Sequence, residues 1–261
     1  MKLMAAGLLL AGMLAAACGG GDDDGGTSDG GGDTNVVIAA ADAGRVAHEG
    51  LPAVADLPGN DWLVVAEDDF GSSDGSFLEF IEGNPDCATL ENLATLESVF
   101  GGEDNDEPPV GQAQIEFENQ DPDSLIPTSI EVEIEIDESA AGSRAAFTIV
   151  KDLFESDDTS NCIISVLNSQ FAETGPAGLT IEVRKGSGSE SSPQGGAHMA
   201  FEIDMSIAGI ELEMAMQMYF WPYGNATVQV LFLGTNETLS GNLVGGVLKA
   251  VDDNLKAAAS K

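Results

Sequence analysis

The chain has 261 residues, 43% of them hydrophobic, and a formal net charge of −36 from 45 Asp and Glu against nine Lys and Arg. Such a hydrophobic content can build a proper apolar core. A surface of this sign repels nucleic acid and anionic lipid headgroups, so neither is held by charge.

The N-terminus opens with Lys2 and an uncharged apolar run from Met4 to Ala17. That run is too short and too rich in Ala and Gly for a spanning helix. Ala15 and Ala17 are small, as signal-peptidase cleavage prefers, and Cys18 follows directly. The stretch resembles a bacterial lipoprotein signal peptide, with residues 1–17 removed and Cys18 lipidated as the mature N-terminus. The position three before the Cys is Ala15, with Leu14 one place earlier, a small departure from the usual pattern. The resemblance implies a lipid-anchored protein on the extracytoplasmic side of a membrane or at the envelope surface. It does not choose between inner and outer membrane. Residues 18–35 follow as a tether, and Gly19–Thr34 holds eight Gly and five Asp. A coil of this kind reaches roughly 20–24 Å. Asp22-Asp23-Asp24 lacks the oxygen spacing and turn glycine of a calcium loop.

Residues 36–261 read as a single α+β domain. Val36–Leu57, rich in Ala, predicts one or two short helices before the Pro58-Gly59 turn. Trp62–Ala66 is a strand, and Ser76–Ile81 is another. Asn84-Pro85-Asp86 starts a helix with a capping Asn, a Pro at the first helical position and an acid in the first turn. That helix carries Cys87 inward and stops near Gly101-Gly102. Gln112–Asn119 and Ile130–Ile136 alternate apolar residues with Glu, as adjacent antiparallel strands with one wet face do. Ala140–Phe154 and Ser160–Phe171 are helices, the second bearing Cys162. Leu179–Arg184 is a strand, followed by a Gly/Ser loop to Gly196. Met199–Ile207, Ile210–Phe220 and Ala226–Leu233 form a three-stranded meander. Thr238–Ala258 closes the chain as a helix with Leu239, Leu243, Val247, Val251 and Leu255 as its apolar stripe. The strict alternation predicts an antiparallel, meander-rich sheet with helices packed mainly on one face.

With Cys18 assigned to lipid, Cys87 and Cys162 are the remaining two of three cysteines. In an oxidising compartment they read as one disulfide. Closing a loop of about 75 residues is worth at most about 4.5 kcal/mol in the chain-entropy account. Neither has a second Cys or a His at zinc-ligand spacing.

The element order, the Leu57-Pro58-Gly59…Trp62 run and the two helix-borne cysteines are similar to actinobacterial secreted proteins and lipoproteins. These relate in shape to the extracellular sensor domain of mycobacterial serine/threonine kinases and to PsbP-like domains. Over about residues 50–258 the resemblance implies an antiparallel sheet carrying helices, with a cleft for a ligand. PsbP-like sheets are covered on both faces. The one-sided alternation here fits better a half-open sheet, as in lipid-carrying lipoproteins of the half-barrel type.

Functional residues are few. Met199, Met205, Met214, Met216 and Met218 share one sheet face and read either as core or as the lining of an apolar-ligand cleft. Glu116, Glu118, Glu131, Glu133 and Glu135 crowd another surface, to be relieved by salt and flexible side chains or by a bound cation. Charge is also uneven along the chain, with 25 Asp and Glu but no Lys or Arg between Arg45 and Arg144. That suits salty surroundings, or the attraction of cations or a basic partner. Gly71-Ser72-Ser73-Asp74-Gly75 spells a nucleophile elbow, but the strand reading after it is wrong for one, since the elbow leads into a helix. His48 and His198 are the only candidate bases. No phosphate loop, dinucleotide fingerprint or metal-ligand cluster is present, so the sequence implies no cofactor, no metal and no catalytic residue. The expected function is a non-enzymatic, sensor-like domain that binds a ligand or a partner, an apolar ligand or an envelope protein among the candidates, or else a carrier of lipid or another apolar molecule in the methionine-lined cleft. The sequence leaves the oligomeric state open.

Overall fold

A computed structural model describes residues 36–59, 61–67, 87, 109–119, 126–174, 179–188, 190–207 and 209–261. The expected signal peptide, the tether, the Ser76–Ile81 strand, the Gly71–Gly75 run and all of the first cysteine helix except Cys87 lie outside these residues. Among the described residues seven strands form one sheet: β1 (Trp62–Glu67), β2 (Gly111–Asn119), β3 (Thr128–Ile136), β4 (Leu179–Lys185), β5 (Ala197–Ile207), β6 (Ile210–Tyr223) and β7 (Ala226–Gly234). Their order is β1-β2-β3-β7-β6-β5-β4, and every neighbouring pair is antiparallel. Among the described residues four α-helices accompany them: α1 (Ala40–Gly50), α2 (Ala140–Glu155), α3 (Asp157–Thr174) and α4 (Gly241–Ala259).

Local sequence explains the boundaries. Ser139 starts α2 by accepting hydrogen bonds from the backbone N–H groups of Ala141 and Gly142. Ser240 does the same for α4 through Leu243. Both follow the N-cap rule, in which a short hydroxyl satisfies donors that the helix cannot. Asp157 and Asp158 open α3 as its first turn, ahead of the expected start at Ser160. Acids are favourable there because they face the positive end of the helix dipole. β6 runs through Pro222, which sits opposite Thr227, and the chain reverses at Gly224-Asn225. Gly224 has φ +65°, and a Cβ there would stand 2.0 Å from the Val36 carbonyl oxygen. Only glycine suits that turn.

Two apolar clusters form on opposite sides of the sheet. On the front face, Phe117, Ile130–Ile136 alternates, Val228, Val230 and Phe232 pack under α1 and α4. The stripe of α4 comprises Leu243, Val247, Val251 and Leu255, with Val244, Leu248 and Ala258 also buried. Arg45 on α1 donates to the Ala258 carbonyl at the end of α4 (3.2 Å), which ties the two helices together. On the back face, Val183, Phe201, Ile203, Phe220 and the methionines pack under α2 and α3 through Val150, Ile163 and Leu167.

The α+β class, the antiparallel sheet and the C-terminal helix are as expected. The placement of the helices differs from the expected single face. α1 and α4 cover the β2–β3–β7 side from the front, and α2 and α3 cover the β4–β5–β6 side from the back. The reason lies in β6 and β7. Charge on the front face of β6 stops at Glu213, and beyond it stand Ala215, Tyr219 and Trp221, all buried. These two central strands are therefore buried on both sides, Gln217, Thr227 and Gln229 included, and accept a layer on each.

Candidate functional site

The back face of the sheet carries both sets of candidate residues. Registry places them in continuous rows across the strands: Glu116 lies opposite Glu131, Glu131 opposite Leu231, Leu231 opposite Met218, and Met218 opposite Met199. One turn of the pleat further on, Gln114, Glu133, Gln229 and Phe220 align in the same way. One face thus changes from carboxylates at β2 and β3 to methionines at β5 and β6.

The methionine end is closed. Met199, Met205, Met214, Met216 and Met218 are each exposed by 9% or less. Phe220 lies among them and stacks on Phe147 of α2, with ring centroids 5.7 Å apart. Phe154 of the same helix approaches Phe220 at 6.4 Å. Flexible thioethers fill the irregular space between aromatic rings and sheet, which is what methionine does well in a core.

The glutamate end departs from the expected wet face. Glu133 and Glu135 are buried, 7% and 5% exposed. Burial, with Glu131 nearby, pushes the Glu133 carboxyl up to about 7. Burial and the neighbouring Glu133 and Asp137 push Glu135 well above the usual carboxylate range. Glu131 is also raised to about 7, by burial first and then by Glu116, while a hydrogen bond from Gln114 Nε2 pulls the other way. Glu116, half-buried beside Glu118, is raised as well. The physical cause is the same throughout: a carboxylate removed from water and set beside others is cheaper to hold protonated. Among the described residues, no group of three or more His, Cys, Asp or Glu is arranged to hold a metal ion. Alternation along a strand spaces these carboxylates in a line rather than around a point.

Beyond Glu135 the acidic row ends in a structural knot. Asp137 Oδ2 accepts from Ser143 Oγ at 2.6 Å. Asn225 donates to the carbonyls of Asp137 and Ile38, and its Oδ1 accepts from the Ile38 N–H at 2.7 Å. Asn225 is fully buried. The Asn225-Ala226-Thr227 run, a glycosylation sequon by spelling, therefore fastens the entry segment to β3 and the β6–β7 turn. No sequence periodicity marks that role.

Cys87 and Cys162 form a disulfide with Cα atoms 4.7 Å apart, both cysteines fully buried. Trp62 is buried against the front core and its indole N–H donates to the Pro58 carbonyl at 2.7 Å. The Leu57-Pro58-Gly59…Trp62 run thus closes a corner of the core. His198 is exposed and stacks on Tyr219, with ring centroids 5.8 Å apart, and the Tyr219 hydroxyl donates to Gln217. His48 lies on α1. Cys18 lies outside the described residues. No helix among the described residues is long and apolar enough to cross a membrane.

The solved extracellular domain of PknH from Mycobacterium tuberculosis is similar to this chain at 13% identity and a TM-score of 0.29. The likeness covers 56% of this chain and 64% of that one, so less than two thirds of that domain's length is spanned. A likeness of that strength supports no conclusion about fold or function. No protein-family model matches the chain, and no curated protein matches it.

Proposed function

We propose that the chain is a lipid-anchored, extracytoplasmic protein whose folded part is a non-enzymatic binding domain for another envelope component. The observation that carries this reading is the buried Cys87–Cys162 disulfide. A structural disulfide belongs to an oxidising compartment, and the Lys2…Cys18 segment supplies a route there and an anchor. The acidic surface suits a soluble domain held off a membrane, since it repels anionic headgroups. A lipid carrier draws no support from the methionine row, whose side chains are taken up in packing against α2 and α3.

The test is phase partitioning of the protein expressed with its own N-terminus in a bacterial host that lipidates envelope proteins. The wild-type protein is expected in the detergent phase, labelled by a palmitate analogue. Cys18→Ser is expected unlabelled and soluble. Identical partitioning of the two proteins overturns the anchor. Two free thiols in the mature protein under non-reducing conditions overturn the compartment.

A further inference from the structure

The two edges of the sheet are built differently. On β4, α3 supplies Asn168, whose side-chain amide donates to the Val183 carbonyl (3.1 Å) and accepts from the Val183 N–H (2.7 Å). A side chain thus occupies both main-chain groups of Val183, in the middle of the edge an incoming strand would need. Arg184 and Lys185 add charge along the same strand, and a charged edge resists pairing. On β1, no strand among the described residues pairs with the outer edge. Its side chains are the reverse of a guarded edge: Leu63, Val64 and Val65 are 49%, 44% and 46% exposed. Three successive exposed aliphatics on an edge strand form a template for main-chain pairing.

The surroundings of β1 say what would pair there. Leu63 lies opposite Glu118 on the back face, and Glu116 stands two residues along β2 on the same face. Asp61 is exposed at the start of the strand. No Lys or Arg occurs between Arg45 and Arg144 to offset them. On the front face, Val64 lies opposite the buried Phe117, beside the apolar core. A second copy would bring its own acidic edge and a net charge of −36, so self-pairing is opposed.

We propose that the outer edge of β1 docks an extended segment of a partner protein in which basic and apolar residues alternate, added to the sheet as an eighth strand. Alternate side chains of such a segment fall on opposite faces. Its Lys or Arg residues lay their aliphatic stems over Leu63 and reach Glu118 and Glu116. Its apolar residues continue the front core beyond Val64. The proposal rests on the reading of the chain as a binding domain and names the class of partner.

The probe is a capped, fluorescent hexapeptide alternating Arg and Val, followed by anisotropy against the folded protein at fixed ionic strength. Two comparisons decide the result. One is the same peptide N-methylated at alternate amides, which keeps charge and removes strand pairing. The other is the double variant L63K/V64K, which alters only exposed side chains. The wild-type protein is expected to bind the unmodified peptide at least tenfold more tightly than the N-methylated one, and to lose at least tenfold in L63K/V64K. Three results overturn the proposal: no binding, equal binding of both peptides, or a wild-type dimer in sedimentation that L63K/V64K dissolves. Should L63K/V64K fail to fold, the two peptides on wild-type protein still decide. None of these outcomes bears on the Cys18→Ser partitioning, so failure here is distinguishable from failure of the anchored-domain reading.

Discussion

The two ends of the back face solve the same problem with opposite materials. At β5 and β6, thioethers and rings are removed from water and gain by it, since apolar burial is worth about 25 cal/mol per Å². At β3, Glu133 and Glu135 are buried to the same degree, and that burial is opposed unless they take up protons. The backbone is identical in kind at both ends and the registry is continuous between them. The difference teaches that depth alone does not define the core of this sheet. The methionine end is held by contact energy at any pH, whereas the glutamate end is held only as firmly as its protonation allows.

Removing a ring from the methionine end tests the first half of that statement. Phe220→Ala empties the space between Phe147, Phe154 and the methionines, and is expected to cost about 3–5 kcal/mol in urea unfolding. The loss should be nearly the same at pH 5 and pH 8, because the contacts of that ring do not titrate. A loss below about 1 kcal/mol means that the second core is not packed as described.

Glu133→Gln tests the other half and should act with the opposite sign. The folded carboxyl is raised from 4.5 to about 7. Below the unfolded value both states hold the proton and burial carries no ionic penalty. Between about 4.5 and 7 the unfolded chain has released its proton while the folded one retains it, so stability falls as pH rises through that window. Above about 7 the loss is complete. The variant is expected to match the wild type near pH 4.5 and to exceed it by on the order of 2–3 kcal/mol at pH 8. The wild type alone should show a melting temperature that falls from pH 5 to pH 8 more steeply than that of the variant. A variant less stable than wild type at pH 8 would show instead that the Glu133 carboxylate is compensated in the fold.

Much of this arrangement is legible in the sequence, and the illegible parts share a cause. Ile130, Val132, Ile134 and Ile136 announce a strand and a face, and the structure places all four in the front core. The meander and the α4 stripe follow equally from period. Burial of the intervening glutamates does not follow, because alternation reports that two faces differ and not that the polar one is wet. The front face of β6 makes the same point: Gln217 and Tyr219 are polar in the sequence, yet both are buried, with the Tyr219 hydroxyl donating to Gln217. Asn225 and Asn168 act through single amides that bridge segments distant in the chain. Local patterns carry no trace of such partners. The cysteine pair is legible because assigning Cys18 to lipid, as the signal-peptide resemblance implies, leaves Cys87 and Cys162 as one pair.

The smallest expected effect concerns the sheet's two edges and extends the comparison from faces to rims. Asn168→Ala removes the amide that holds Val183 from outside, leaving one N–H and one C=O on the β4 edge for water to satisfy. Both groups lie at the rim and Asn168 is only half-buried, so the loss is about 1 kcal/mol rather than the larger penalty of an orphaned interior group. Hydrogen exchange is the sharper readout. The Val183 amide should exchange faster in the variant, by about fivefold for a loss of that size, while amides of β7 keep their protection. β4 would then expose main-chain groups beside Arg184 and Lys185, whereas the β1 edge, unpaired among the described residues, carries Leu63 and Val64. Added self-association in Asn168→Ala would mean that the amide is the principal guard of this edge. A variant that stays monomeric would mean that the charged residues suffice, and that an edge of this sheet becomes adhesive only where its side chains are apolar as well as its backbone open.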